Sequence, residues 1–241
     1  MLLSSPFVAA TLIVLFAFFV RSFSGFGSAL LSIPLLAHFF ELKFIVPVES
    51  TFEVVMSIVL IPRIFRDVHK RDLLLMLGGA LVGSIVGIYA LKSVADQTLK
   101  MILGIVIIAV AANLFFYKTD SVPNISEKWG LAAGLAGGIL GGMFGTGGPA
   151  YVTYLAFQNR EKQQFRATLI MLFAIEYAWR LAVYIWDGLY TFEGLKWSLW
   201  LAPAVVVATI AGHLAHFQVN ERIFRYVVAA LLTVSGIFCF T

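Results

Sequence analysis

The 241 residues are 61% hydrophobic and only 12% charged, and the mean hydropathy is +0.94. Soluble domains are about half apolar and about a quarter charged, so this composition excludes a soluble globular protein and predicts an integral membrane protein. The formal net charge of +4 lies mainly in short loops between apolar stretches, where it indicates orientation in a membrane and not a nucleic-acid partner. We therefore expect a multi-pass protein of the cell (inner) membrane, surrounded by the lipid bilayer.

Residues 6–39 form an apolar stretch that is too long for one crossing. As a single helix it would be about 50 Å long, against a hydrocarbon core of about 30 Å. Glycines remove the side chains that favour a helix, and Pro34 lacks a backbone donor. We therefore predict two shorter helices joined near Ser22 to Ser28. Three further apolar spans follow, at 44–61, 73–91 and 99–117.

The second half of the chain repeats this plan after a polar connector at 118–128. One broken stretch is again followed by three spans, at 129–157, 167–186, 195–215 and 223–240. We therefore predict an all-α integral membrane protein with two repeats, residues 1–117 and 129–241. Each repeat consists of a broken helix, folded as a helical hairpin, and three transmembrane helices.

The two broken stretches align with each other. The sequence FVRSFSGFGSALLSIPLLA begins at Phe19, and ILGGMFGTGGPAYVTYLAF begins at Ile139. The alignment places Gly25 on Gly145 and Gly27 on Gly147. Two interrupted apolar segments in corresponding positions are typical of transporters with internal repeats, in which the breaks form the binding site.

The distribution of basic residues predicts that the two repeats are inverted. Basic residues collect in cytoplasmic loops because they resist translocation. The loop at 63–71 is the most basic and is expected in the cytoplasm, whereas its counterpart at 187–193 has no basic residue and is expected outside. Equivalent loops on opposite sides require inversion, provided that each broken stretch enters and leaves on one side. Lys92 and Lys100 would then lie outside, as a mild exception.

Two sets of regularly spaced glycines predict close helix packing. Small residues every four positions lie on one helix face and allow the backbones of neighbouring helices to approach. One set lies in the third span and the other in the second broken stretch: Gly79, Gly83 and Gly87, and Gly130, Gly134, Gly138 and Gly142.

The glycines at the two breaks predict an anion site. Where a chain breaks and restarts as a helix, free N–H groups and the positive end of the helix dipole face the break. Gly147 in particular is expected to approach the ligand closely and to need φ above zero. The alternative is that both breaks are tight turns packed against neighbours. The candidate residues form a first glycine segment, Gly25, Phe26, Gly27 and Ser28, and a second glycine segment, Gly145, Thr146, Gly147, Gly148 and Pro149.

Five ionisable residues within the spans are functional candidates because charges are costly in a membrane. Arg21 and Arg180 would add positive charge to the anion site; the alternatives are snorkelling of Arg21 to an interface and neutralisation of Arg180 by Glu176. Glu49, Glu53 and Glu176 are candidates for carrying a coupling proton, since neighbouring carboxylates such as Glu49 and Glu53 raise one another's pKa. A position of Glu49 near the outer interface is equally open.

Several motifs are missing from the sequence. It has no GxxxxGK[ST] phosphate loop and no HExxH metalloprotease motif. His213 and His216 lie next to a basic loop without further ligands, which favours a solvated interface over a metal site. We therefore expect no cofactor, no metal and no enzymatic activity.

The segments SGFGSALLSIPLL and GGMFGTGGPAYVTYL, each opening one repeat, resemble the paired glycine–proline signatures of the sulfite exporter family TauE/SafE. The resemblance extends to the length, the duplication and the closing pattern GHLAHFQVNERIFRYVVAALLTVSG. The first segment departs from the pattern, because Ser28 and Ala29 replace a fuller glycine run and its proline comes late, at Pro34. The resemblance implies secondary transport of sulfite, sulfonates or other small sulfur-containing anions, often outward.

The function predicted from the sequence is therefore secondary transport, with export as the expected direction and protons as the candidate coupling ion. The substrate is expected to be a small sulfur-containing anion such as sulfite or an organosulfonate. An anion channel on the same scaffold and a carrier of other small organic anions are the main alternatives, and a membrane enzyme is the third.

Overall fold

The computed structural model describes residues 5–24, 27–116, 125–158, 160–214 and 221–240. These ranges contain helices and turns, and every predicted span corresponds to a helix. The ten α-helices are α1 Ser5–Ser24, α2 Ser28–Leu36, α3 Leu42–Ile64, α4 Lys70–Ser93, α5 Asp96–Phe116, α6 Trp129–Phe144, α7 Gly148–Phe157, α8 Lys162–Trp186, α9 Phe192–Leu214 and α10 Glu221–Phe238. A short 3-10 turn, Phe65–Asp67, follows α3.

Four of the described helices are long and apolar enough to cross a membrane. The stretches that meet this criterion are Lys70–Ser93, Asp96–Asn113, Lys162–Trp186 and Phe192–Gly212. Together with the shorter apolar helices α1 and α6, they make this an all-helical, multi-pass membrane protein. The remaining crossings and the inversion of the repeats stay predictions.

Both broken stretches are interrupted where the glycines predicted. The breaks separate α1 from α2 and α6 from α7, and Gly25 and Phe26 lie outside the described residues. Gly27 has a φ of 94° and Gly145 a φ of 68°, which are backbone angles that residues with a Cβ rarely adopt. The expectation of a positive φ at Gly147 was wrong, because its φ is −70° and it lies in the right-handed helical region. Gly145 makes the turn, and Gly147 already follows the direction of α7.

The helices group into two compact units, each described by itself. The first unit comprises residues 1–45, 94–118 and 192–241, and in it α1 packs on α9 and α10 packs on α5 and α2. The second unit comprises 46–93 and 119–191, and in it α4 packs along α6 and α8 while α7 packs on α6. Each unit takes helices from both halves of the sequence, so the proposed division into repeats at 118–128 remains a prediction about chain order.

In the second unit the two predicted glycine stripes pack against each other. A Cβ at Gly83 would collide with the backbone at Leu135 and Ile139, and a Cβ at Gly138 would collide with the backbone of Ala80. Gly79, Gly87, Gly134 and Gly142 make equally close contacts with backbone atoms across the same interface. The prediction that these glycines mediate helix packing is confirmed, and the α4–α6 contact leaves no room for larger residues.

The two ends of each broken helix lie close together. In the second unit, Gln158 after α7 donates a hydrogen bond to the carbonyl oxygen of Ile125 before α6, at 3.1 Å. In the first unit, the rings of Phe7 near the start of α1 and Phe40 after α2 both contact Trp197 of α9, with centroids 5.7 and 4.9 Å apart. Each pair is therefore a helical hairpin with the glycine break at its tip.

Candidate functional site

The end of α6 at the second glycine segment is closed by groups from α8. The carbonyl oxygen of Gly141 accepts a hydrogen bond from the N–H of Gly145, at 2.8 Å, and another from the guanidinium of Arg180. The next carbonyl, of Gly142, accepts a hydrogen bond from the hydroxyl of Tyr184, at 2.8 Å. A helix C-terminus carries partial negative charge and unsatisfied carbonyls, which a cation and a hydroxyl donor both stabilise.

The start of α7, by contrast, is not capped by any described side chain. Pro149 has no N–H, so the first turn presents the amides of Gly148 and Ala150. Just before it, Thr146 is only 3% exposed, and its hydroxyl has no hydrogen-bond partner among the described residues. Buried hydroxyl groups normally have a partner, because an unsatisfied one costs about 1–3 kcal/mol. The uncapped helix start and the unpaired hydroxyl are thus polar groups without a partner among the described residues.

Tyr151 lies beside the second glycine segment. Its side chain is fully buried in the first turn of α7, and its ring occupies the space that a Cβ at Gly137 would need. The ring contacts Phe173 edge to face, with centroids 5.8 Å apart. Its hydroxyl faces the carboxyl of Glu176 but lies outside regular hydrogen-bond geometry. The tyrosine thus connects the start of α7 to the charged residues of α8.

Glu176 and Arg180 form a buried ion pair on α8. Their side chains are 0% and 1% exposed, and Nε of Arg180 lies 3.5 Å from Oε1 of Glu176. The guanidinium also stacks over the ring of Tyr177, 4.5 Å from its centroid. Both side chains need the absence of a Cβ at Gly141, which would lie 2.5 Å from Oε1 of Glu176 and 3.1 Å from Nη1 of Arg180. This pairing agrees with the expectation that the two charges neutralise each other.

The described part of the first glycine segment, Gly27 and Ser28, lies in the first unit. Arg21, in the last turn of α1, is 8% exposed, and its guanidinium lies 5.7 Å from the centroid of the Phe18 ring. Ser28, at the start of α2, is 1% exposed, and Gly27 before it caps that helix with its left-handed backbone. As in α7, no described side chain caps the helix start.

Glu49 and Glu53 lie one turn apart on α3, as the sequence predicted. Both are buried, at 2% and 1% exposure, and the serines Ser50 and Ser57 on the same helix are buried as well. A pair of buried carboxylates on a membrane helix is the kind of group that carries protons in membrane proteins. Their role in coupling remains a prediction.

The aromatic and capping residues around the second glycine segment were not predicted from the sequence. Tyr151, Tyr177 and Tyr184 were not singled out, although the two on α8 lie on the same face as Arg180. The available signal was a second glycine face on α6, formed by Gly137 and Gly141, which points toward α7 and α8 and away from α4. Glycines on two faces of one helix indicate two close neighbours.

One protein family is recognised in the whole chain. The family described as Sulfite exporter TauE/SafE matches residues 10–239. No curated protein and no solved structure matches the chain. The match spans both hairpins and all the helices between them, in agreement with the resemblance of the glycine segments. The chain therefore belongs to the sulfite exporter TauE/SafE family, whose members are membrane transporters of sulfite and related sulfur-containing anions.

Proposed function

We propose that this protein is a secondary transporter that exports a small sulfur-containing anion, such as sulfite or an organosulfonate, and that the second glycine segment forms part of its binding site. The observation that carries the proposal is the buried, unpaired hydroxyl of Thr146 at the uncapped start of α7. Family membership supports the class of substrate. The exact anion and the direction of transport belong to the proposal.

The polarity of the break favours an anion. The carbonyl end of α6 is occupied by Arg180 and Tyr184, so its acceptors are engaged. The α7 end offers donors: the amides of the first turn, the hydroxyl of Thr146 and the positive end of the helix dipole. Sulfite and sulfonate groups present three oxygen acceptors and a negative charge, which is the complement of such a helix start. Gly145, Gly147 and Pro149 shape the backbone there, and Gly148 supplies an amide.

The first glycine segment is proposed as an anion-binding segment equivalent to the second. Its residues Gly25, Phe26, Gly27 and Ser28 would present the start of α2 in the same way, with Arg21 adding positive charge. In the predicted duplication, α1 corresponds to α6 and α9 corresponds to α4. The pairs α1–α9 and α6–α4 are each in contact within their own unit. This repetition of packing supports a duplicated architecture, which we propose to be inverted.

Proton coupling is proposed to act through the buried ion pair. As long as Glu176 is ionised, it neutralises Arg180. Binding of a proton to Glu176 would leave the charge of Arg180 uncompensated beside Gly141, and the attraction for an anion at the break would increase. An anion and a proton would then bind with positive cooperativity. Glu49 and Glu53 are the alternative proton carriers.

The experiment that tests the site replaces Thr146 by valine, which has the same shape without the hydroxyl. A hydrogen bond to a charged group contributes about 1.5–3 kcal/mol, so the affinity for sulfite should fall about tenfold or more, since a factor of ten is about 1.4 kcal/mol. Binding is measured on purified protein, with the thermal midpoint recorded beside it. Removal of a hydroxyl that has no partner should leave the midpoint nearly unchanged.

Thr153→Val is the matched control. Thr153 is exposed on α7, and its hydroxyl donates a hydrogen bond to the carbonyl oxygen of Pro149, at 2.7 Å. This variant should bind sulfite like the parent protein. Equal affinity in the Thr146→Val and parent proteins would remove the second glycine segment from the site.

The channel alternative is separated by kinetics. A carrier gives saturable sulfite flux into proteoliposomes that responds to a pH gradient, whereas a channel gives electrical currents far above carrier turnover. Saturation together with a pH response would exclude the channel.

A further inference from the structure

We propose that a polar network at the base of the α6–α7 hairpin is a releasable clamp that opens and closes during each transport cycle. This base clamp consists of Asp72, Glu127 and Arg160, assisted by His69, Arg71 and Tyr154. The inference rests on the proposed transport function. It adds a moving part at the opposite end of the hairpin from the glycine segment, about 15 Å away along the ten residues of α7.

Asp72 is the centre of the base clamp. Its carboxylate is completely buried in the first turn of α4, where negative charge stabilises the helix start. It accepts hydrogen bonds from Nε of Arg160, at 2.9 Å, and from the hydroxyl of Tyr154, at 3.2 Å. Nδ1 of His69 also lies 2.9 Å from the same carboxylate. Tyr154 lies on α7 and Arg160 in the link between α7 and α8, so Asp72 ties the returning arm of the hairpin to α4, whereas His69 directly precedes α4 itself.

Glu127 extends the base clamp to the segment before α6. Its carboxylate contacts Nη2 of Arg160, at 3.2 Å, and Nε of Arg71, at 2.7 Å. Its backbone oxygen lies 3.1 Å from the hydroxyl of Tyr154, which shares its single proton between this oxygen and Asp72. The hydrogen bond to Asp72 raises the pKa of Arg160 above its ordinary value, so the guanidinium stays charged. Both arms of the hairpin and the start of α4 are thus held by one arginine.

The chemistry of the base clamp allows it to open. Its outer members are open to solvent, with side chains of Arg71, Glu127 and Arg160 exposed by 74%, 29% and 23%. Water can replace the exposed contacts of Arg71, Glu127 and Arg160 at little cost, so the main cost of opening is hydration of the buried carboxylate of Asp72, which water reaches once α7 withdraws. The glycine interface of α4 and α6 differs, because it joins backbone to backbone without rotatable side chains. We therefore infer that α4 and α6 stay together while α7 moves.

The other hairpin is closed by a different kind of contact. At the base of α1–α2, the rings of Phe7, Phe40 and Phe44 surround Trp197, with centroids between 4.9 and 6.1 Å apart. Separation of these rings would expose apolar surface at about 25 cal/mol per Å². Of the two hairpin bases, the ionic one is thus the better suited to open into water.

The test is a reversible cross-link across the base. Cysteines are placed at Ile125 and Gln158, which are hydrogen-bonded to each other, in a background where the single cysteine, Cys239, is replaced by alanine. A short bis-methanethiosulfonate reagent joins the two cysteines and is removed by reduction. The link should lower sulfite flux in proteoliposomes at least tenfold, and reduction should restore it.

A second cross-link, between cysteines at Gly78 and Leu131, is the control. A Cβ at Gly78 would lie 3.7 Å from Cδ1 of Leu131, so this link joins α4 to α6 across the interface inferred to be rigid. It should leave flux within twofold of the unlinked protein. Full flux with the base link in place, or an equal loss with the control link, would overturn the base clamp.

Hydrogen exchange separates this inference from the proposed function. If the unlinked protein carries neither sulfite nor an organosulfonate, the proposed function fails. Opening of the base can still be measured as amide exchange in residues 150–157 of α7. The base link should slow this exchange at least tenfold and the control link should not. Unchanged exchange in α7 would overturn the base clamp whatever the protein carries.

Discussion

At the scale of single residues, the most informative position is Arg180. Within the membrane its charge is matched by Glu176, and its guanidinium caps the end of α6. In the proposed site, Arg180 would therefore act first on the shape and charge of the break, and would contribute to anion binding only to the extent that Glu176 is neutral. This makes Glu176 the residue through which pH would control affinity.

Replacement of Glu176 by glutamine tests this control. The amide mimics the protonated carboxyl, so anion affinity should no longer vary with pH and should match the affinity of the parent protein at low pH. Methanesulfonate is the suitable probe because its own charge does not change across a mildly acidic to neutral series. Binding is measured on purified protein at each pH.

Glu49→Gln and Glu53→Gln are the controls for this substitution. Each should keep the pH dependence of the parent protein if Glu176 carries the proton. A pH dependence that survives in the Glu176→Gln variant and disappears in either of the others would assign the coupling proton to α3.

At the scale of elements, α6 is a helix with two glycine faces. Gly134, Gly138 and Gly142 face α4, whereas Gly137 and Gly141 face Tyr151 and the Glu176–Arg180 pair. The first face fixes the position of α6, and the second makes room for the ring and the charges of the site. One helix with six glycines among its 16 residues thus joins the α4 interface to the proposed binding site.

Two adjacent glycines on α4 allow a direct test of this packing. A Cβ at Gly79 would collide with the backbone of Leu131 and Leu135, and Gly79→Ala should lower stability by about 1–3 kcal/mol, as overpacking does. At Gly78 the nearest atom is a side-chain methyl 3.7 Å away, so Gly78→Ala should be neutral or stabilising by up to about 1 kcal/mol. The measurement is the thermal midpoint of each purified variant, which should be lower for Gly79→Ala than for Gly78→Ala. Equal midpoints would contradict the tight interface.

The helices and their breaks were predictable because they depend on local chemistry. Apolar length defined the spans, and clustered glycines defined the breaks at Gly27 and Gly145. The partners across the breaks were not predictable, since nothing in the spacing of α8 indicates that Arg180 and Tyr184 reach the carbonyls of α6. The φ of Gly147 was mispredicted for a similar reason: Gly145 makes the turn, while a Cβ at Gly147 would meet the carbonyl oxygen of Gly137, at 2.6 Å.

At the scale of the whole molecule, chain order and packing divide the protein differently. Each compact unit joins helices from both halves, with α9 and α10 beside α1, α2 and α5 in the first unit. Such mixed units arise in a duplicated chain when helices of one repeat pack against helices of the other repeat. The remaining question is whether the two copies cross the membrane in opposite directions.

Cysteine labelling answers that question. With Cys239 replaced by alanine, single cysteines are introduced at Arg66, in the basic loop, and at Tyr190, in its acidic counterpart. Because basic loops remain in the cytoplasm, an impermeant maleimide added to intact cells should label the cysteine at position 190 and not the one at position 66. Both should react after permeabilisation, which shows that each thiol is accessible. Labelling of both from outside, or of neither until the cells are opened, would mean that the two loops share a side and that the repeats are parallel. The two glycine segments could not then be related by inversion, and the proposed equivalence of the first segment to the second would fail.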